Sequence, residues 1–128
     1  MERKKIETFE DLEVWQGAME VAVEVYRLTS KDKIRKELGL RTQIINSSCS
    51  ISNNIAEGFE YDNKPDLIRF LKYSKGSSGE CRNQLLFLKR IGLIEDSDFD
   101  RLNPKLRSVS KQLKGFIQYL HNYKPTKR

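Results

Sequence analysis

Apolar residues along the chain fall into four segments with helical spacing, separated by short polar breaks. Residues that recur every three or four positions share one face of an α-helix, whereas a strand would need strict alternation. The predicted helices are a first from near Thr8, a second over Leu40–Glu57, a third from the Asn63 cap to about Ile91, and a fourth from Asp96. The chain is therefore predicted to be all-α, a single four-helix bundle domain over residues 1–128 with its ordered part at about 6–123.

The first predicted helix carries two apolar series rather than one. The first series is Leu12, Trp15, Met19, Ala22 and Tyr26. The second series is Val14, Ala18, Val21, Val25 and Leu28. At about 100° per residue the two lie roughly a right angle apart, and one of them is enough to line a bundle core. The other requires either a broad core or a neighbouring subunit. We favour a subunit and expect the Val14 series to form an oligomer interface.

The fourth predicted helix and the tail after it hold the chain's excess positive charge. Residues 101–128 contain eight of the 24 Lys and Arg and none of the 18 Asp and Glu. Such segregation favours binding of a polyanion, although a solvated helix face with a basic tail is the alternative. The same helix has a heptad seam for packing: Leu102, Leu106, Val109, Leu113, Phe116 and Leu120. The predicted nucleic-acid contacts are Arg101, Lys105, Arg107, Lys111 and Lys114, with Lys124, Lys127 and Arg128 added at the carboxy terminus.

The second and third predicted helices contain poor helix formers, so their formation must depend on tertiary packing. Gly58 is expected to end the second helix, and Gly76 and Gly79 interrupt the third. Polar residues of these helices are spaced so that each set shares a face: Asn54, Glu57, Ser77, Glu80 and Gln84. We favour a structural polar network that fixes helix register. The alternative is a pair of carboxylates that acts as acid and base or binds a divalent cation.

Motifs for catalysis or metal binding are missing from the sequence. His121 is the single histidine, and Cys49 and Cys81 lack the spacing of metal ligands, so we expect reduced core thiols. No stretch approaches the ~18 apolar residues of a membrane span, and the first residues lack the apolar region of a secretory signal. We therefore expect a cytoplasmic, non-enzymatic protein without metal or cofactor, and no membrane partner.

Three stretches resemble a known family. Residues 50–58, Ser-Ile-Ser-Asn-Asn-Ile-Ala-Glu-Gly, are similar to the Ser-[Ile/Val]-Pro-x-Asn-Ile-Ala-Glu-Gly signature of bacterial 23S ribosomal RNA intervening-sequence proteins. Two further elements of that family occur in the right order, as Phe9-x-x-Leu12-x-Val14-Trp15 and Phe70-Leu71-x-x-Ser74-x-Gly76-Ser77-x-x-Glu80. The likeness covers about residues 6–123. Ser52 replaces the usual proline, and Gly79 stands where the family often has a larger apolar residue.

The resemblance implies an antiparallel up-and-down bundle that assembles into a ring-like homopentamer and has no assigned catalytic residues. A related bundle, the accessory variability determinant of diversity-generating retroelements, binds reverse transcriptase and nucleic acid. We expect a homo-oligomeric accessory protein that binds RNA or single-stranded DNA. The alternatives are an adaptor for a protein partner such as a reverse transcriptase, and a hydrolase that uses Glu57 and Glu80.

Overall fold

The computed structural model describes residues 5–123, which form four long α-helices and no β-strand. The elements in order are a 3-10 turn (Phe9–Asp11), α1 (Glu13–Thr29), the one-turn α2 (Asp32–Arg35), α3 (Leu38–Glu60), α4 (Lys64–Arg90) and α5 (Asp96–Asn122). The separate 3-10 turn explains why α1 begins later than the predicted start near Thr8. Two other predicted boundaries are confirmed. The Asn63 side chain accepts a hydrogen bond from the Asp66 backbone N–H at 2.9 Å, and Gly92, with φ 77°, follows α4.

Each long helix packs against its neighbours in chain order, and α5 closes the bundle by packing on α1. Side-chain contacts show that neighbouring helices run in opposite directions. Ser47, early in α3, contacts Gln84, late in α4. Ser74, earlier in α4, contacts the carbonyl of Ile51, later in α3. The predicted all-α, antiparallel up-and-down four-helix bundle is confirmed.

The core follows the predicted seam of α5 for three turns and then drifts from it. Leu102, Leu106, Val109 and Leu113 are buried, but the last two seam positions are only partly buried. Ile117 takes their place in the core. An α-helix has 3.6 residues per turn, so a strict seven-residue repeat rotates by ~20° per heptad around a straight helix. The next apolar residue on the rotated face then packs inward.

The predicted oligomer interface lies in the core of this chain itself. The five residues have exposed fractions between 0% and 5%: Val14, Ala18, Val21, Val25 and Leu28. The expectation that they contact a neighbouring subunit is wrong, because α1 packs on both α3 and α5 and this series fills the space between them. The other series lies further out: Met19 is 38% exposed and Tyr26 57% exposed. The homo-oligomer stays a prediction.

Small residues allow α3 and α4 to approach closely. Gly58 was expected to end the second predicted helix. Instead it is buried inside α3, which continues to Glu60. A Cβ at this position would lie 2.7 Å from the Cβ of Phe70, so the contact requires glycine. Cys81 of α4 is buried at the same pair of helices, and burial raises the pKa of its thiol to about 12. Cys81 and Cys49 are both free thiols, as predicted.

Candidate nucleic-acid interface

An open groove of about 720 Å³ lies between α4 and α5. The residues around it are cationic or small and polar, and none of those that the structure describes there is acidic. Its five cations are Lys75 and Arg82 on α4 and Arg107, Lys111 and Lys114 on α5. Asn103, Pro104, Ser108 and Ser110 complete the lining.

Helical spacing places these cations in two facing rows. Arg107, Lys111 and Lys114 are four and three residues apart, so they share one face of α5. Lys75 and Arg82 are seven residues apart, which is two turns of α4. With a rise of 1.5 Å per residue, each row is about 10.5 Å long. Because α4 and α5 pack side by side, the two rows border the same groove.

The charges of the groove are largely uncompensated. Within residues 5–123, Lys75, Arg107, Lys111 and Lys114 take part in no salt bridge. Arg82 donates a hydrogen bond from Nε to the neutral Asn103 side chain at 3.2 Å and keeps its charge unpaired. Like charges that line a cleft raise the local positive potential and attract polyanions.

Two of the predicted contacts are instead neutralised on the other side of α5. Arg101 lies 3.5 Å from Glu24 and 3.1 Å from Asp98. Lys105 lies 2.5 Å from Glu20 and 2.9 Å from Glu24, and its hydrogen bonds to Glu20 and then Glu24 raise its pKa. Acidic residues of α1 and α5 already pair with Arg101 and Lys105, and the expectation that these two contact phosphate stays a prediction.

The remaining predicted contacts divide between the groove and the undescribed tail. Arg107, Lys111 and Lys114 are exposed on the groove, and their binding of nucleic acid stays a prediction. Lys124, Lys127 and Arg128 lie outside the described residues. Sequence reasoning missed Lys75 and Arg82 because it considered only the charge excess of the fourth helix. Their seven-residue spacing on the helix that precedes it was the available signal.

The predicted polar network does not form. Its members were Asn54, Glu57, Ser77, Glu80 and Gln84. Gln84 accepts a hydrogen bond from Ser47 at 2.6 Å, and the Asn54 amide donates to the Ser50 carbonyl of its own helix at 2.8 Å. Glu57 and Glu80 are exposed, and no hydrogen bond joins either of them to the other three. Among these five residues, Gln84 alone forms a side-chain hydrogen bond between α3 and α4.

No group of three or more His, Cys, Asp and Glu side chains in residues 5–123 is placed to hold a metal ion. Within the same range, no helix combines the length and the apolar character needed to cross a bilayer.

Comparison with known families accounts for the signature residues. The family model described as 23S rRNA-intervening sequence protein matches residues 10–115. The chain belongs to this family. A crystal structure from the S23 ribosomal protein family of Bacteroides thetaiotaomicron VPI-5482, of a protein with unknown function, is 25% identical and has a TM-score of 0.75. The match covers 82% of this chain and 98% of that one. No curated protein matches the chain.

In this member of the family, the signature stretch serves packing. Ile51 and Ile55 are fully buried, and Gly58 admits Phe70. The Asn54 amide bonds within its own helix. The groove cations lie within the matched range but outside this signature. That this chain is related to the accessory variability determinant of diversity-generating retroelements stays a prediction.

Proposed function

We propose that this protein is a non-enzymatic nucleic-acid-binding accessory protein whose α4–α5 groove holds the backbone of a single strand. The observation that carries the proposal is the groove itself, which brings five cations together without an acidic residue in its lining. A charged groove that follows the phosphates is the common means by which proteins bind single strands without reading their sequence.

The two rows of cations favour a single strand over a duplex. The groove follows the line where α4 and α5 pack, with one row of cations on each side, so a single chain of phosphates can lie between the two rows. The two rows of about 10.5 Å would contact a few consecutive phosphates from both sides. If the protein is a homo-oligomer, repeated grooves on one particle would add avidity without any new contact.

Salt dependence of binding tests the proposal. A labelled twelve-nucleotide single-stranded RNA would be titrated with the protein at several salt concentrations, and binding followed by fluorescence anisotropy. Each phosphate contact to a single strand releases about 0.7 counterions, so five contacts predict a slope of about −3.5 for log K against log salt. A slope near zero, or no binding at low salt, contradicts the proposal.

A poly-glutamate peptide of similar charge is the control ligand for the same titration. It distinguishes the proposal from an adaptor that recognises acidic proteins. RNA should bind more tightly, because Arg and Lys in a groove contact phosphate oxygens in a row and Arg binds them bidentately. Equal or tighter binding of the peptide favours the adaptor.

A further inference from the structure

A second cavity continues the groove toward the amino-terminal end of α5. It has a volume of about 250 Å³ and is lined by Gly79, Arg82, Asn83, Leu86, Phe99 and Asn103. Arg82 and Asn103 also line the basic groove, so the two spaces adjoin. Lys89 lies over the Phe99 ring with its ammonium 4.6 Å from the ring centroid, which brings a further cation to this end.

The lining of this cavity differs in chemistry from that of the groove. Leu86 and Phe99 provide an apolar wall, whereas Asn83 and Asn103 bring side-chain amides that both donate and accept hydrogen bonds. Arg82 uses only its Nε on Asn103, and within the described chain its terminal N–H groups have no partner. An apolar wall with hydrogen-bonding groups at its edge suits a flat ligand that has apolar faces and a polar rim.

Gly79 keeps this cavity open. A Cβ at this position would meet no atom within 4 Å, and its φ is not positive, so neither close packing nor backbone conformation requires glycine here. Glycine weakens the interior of a helix relative to most other residues. In this chain, the consequence of Gly79 is free space beside Arg82.

We infer that the cavity receives one base of the strand whose phosphates lie along Arg107, Lys111 and Lys114. The inference rests on the proposed function and adds a base subsite to it. The cavity lies just below the ~300–1,000 Å³ range of sites for drug-sized ligands, which suits a single base. A strand in the groove passes directly beside this opening, because Arg82 and Asn103 belong to both.

The test fills the cavity from Gly79 and compares two ligands. The ligands are an eight-nucleotide single-stranded RNA and an abasic phosphodiester with the same number of phosphates. In the wild type, the RNA should bind about tenfold more tightly than the abasic strand, as expected when one base packs in a site. Gly79→Leu should remove this difference by weakening RNA binding about tenfold and leaving abasic binding unchanged.

Gly76→Leu is the matched control. Gly76 is also in the interior of α4 with no atom within 4 Å of an added Cβ, but it lines neither space. Both variants replace glycine with a better helix former, so both should unfold at the same or a higher temperature than the wild type. A loss of RNA affinity in Gly79→Leu alone therefore reports the cavity and not the fold.

The outcomes separate this inference from the proposed function. If Gly79→Leu binds RNA as tightly as the wild type, or if the wild type binds both ligands equally, the base subsite is wrong and the backbone groove stands. If the wild type binds neither ligand, both proposals fail.

Discussion

The two flanks of α5 carry the same kind of residue with opposite consequences. On the flank toward α1, Arg101 and Lys105 contact acidic side chains, and Glu24 is shared between them. On the flank toward α4, Arg107, Lys111 and Lys114 meet only further cations and neutral residues. The sum of charges along a helix therefore does not describe its binding surface. The helix that packs beside each flank decides which charges remain available.

The sharpest test of this contrast reverses the charge of the cations on the α4 flank of α5. The triple variant Arg107→Glu, Lys111→Glu and Lys114→Glu should lower the affinity for single-stranded RNA by about 100-fold or more, because three phosphate contacts become repulsive. The slope of log K against log salt should shrink to about −1.4, the value for two remaining contacts. Anisotropy titration measures both quantities.

A second triple variant controls for net charge. Lys33, Arg35 and Lys36 are exposed around α2, away from the groove. Their replacement by glutamate changes the net charge of the protein by the same amount. Its affinity should stay within about threefold of the wild type, since only long-range attraction is reduced. An equal loss in both triple variants would show that overall charge, and not the groove, attracts the RNA.

Removal of the cationic side chains on the α1 flank of α5 should affect the stability of the protein rather than its binding of RNA. Lys105→Ala and Arg101→Ala should each lower the free energy of unfolding by less than about 1 kcal/mol, the usual range for solvent-accessible ion pairs. RNA affinity should change by less than about twofold. Urea unfolding and anisotropy measure the two effects. A tenfold loss of RNA affinity in either variant would contradict the claim that these two residues pair with acidic side chains and take no direct part in RNA binding.

The stability effect of Lys105 should also depend on pH. Its pKa is raised from 10.5 by Glu20 and Glu24, so folding favours its protonated form. Its contribution is therefore complete below pH 10.5 and is lost as the pH rises through the raised pKa. Urea unfolding should show the difference between wild type and Lys105→Ala at pH 8 and a smaller difference above pH 10.5.

Release of the paired cations should have a small effect of the opposite sign. Glu20→Gln with Glu24→Gln leaves Lys105 without an acidic partner and leaves Arg101 with only Asp98. RNA affinity at low salt should rise by about twofold through added long-range attraction, with the slope against salt changed by less than about 1.4. A decrease in RNA affinity would be inconsistent with the claim that the α1 flank of α5 takes no direct part in RNA binding. Anisotropy at two salt concentrations is sufficient.

Periodicity predicted most of the fold because it depends on local spacing. The buried stretch of the α5 seam and the Asn63 cap follow from positions three, four or seven residues apart, or from one residue beside a helix start. The family signature identified the same bundle independently. Gly58 was misplaced because a glycine after a helical segment also fits a helix end, and only the approach of Phe70 distinguishes the two cases.

The candidate binding surface could be predicted only in part, since it depends on which helices are neighbours. Sequence reasoning found Arg107, Lys111 and Lys114 from charge alone. The spacing of Lys75 and Arg82 indicated a shared face of α4, but only the packing of the helices shows that this face borders the groove and that Glu24 reaches Arg101. The assignment of the Val14 series to a subunit contact failed for the same reason. Which of the two apolar series of α1 faces the core follows only from the positions of α3 and α5.

Protection of individual lysines by RNA tests the central claim most directly. The protein would be acetylated briefly with and without saturating single-stranded RNA, and the modification of each lysine would be quantified by mass spectrometry. Protection of Lys75, Lys111 and Lys114, with Lys105 and Lys33 modified equally in both samples, is the predicted result. Protection of Lys105 or Lys33 while the three groove lysines stay fully reactive would contradict the claim that the α4–α5 groove is where the nucleic acid binds.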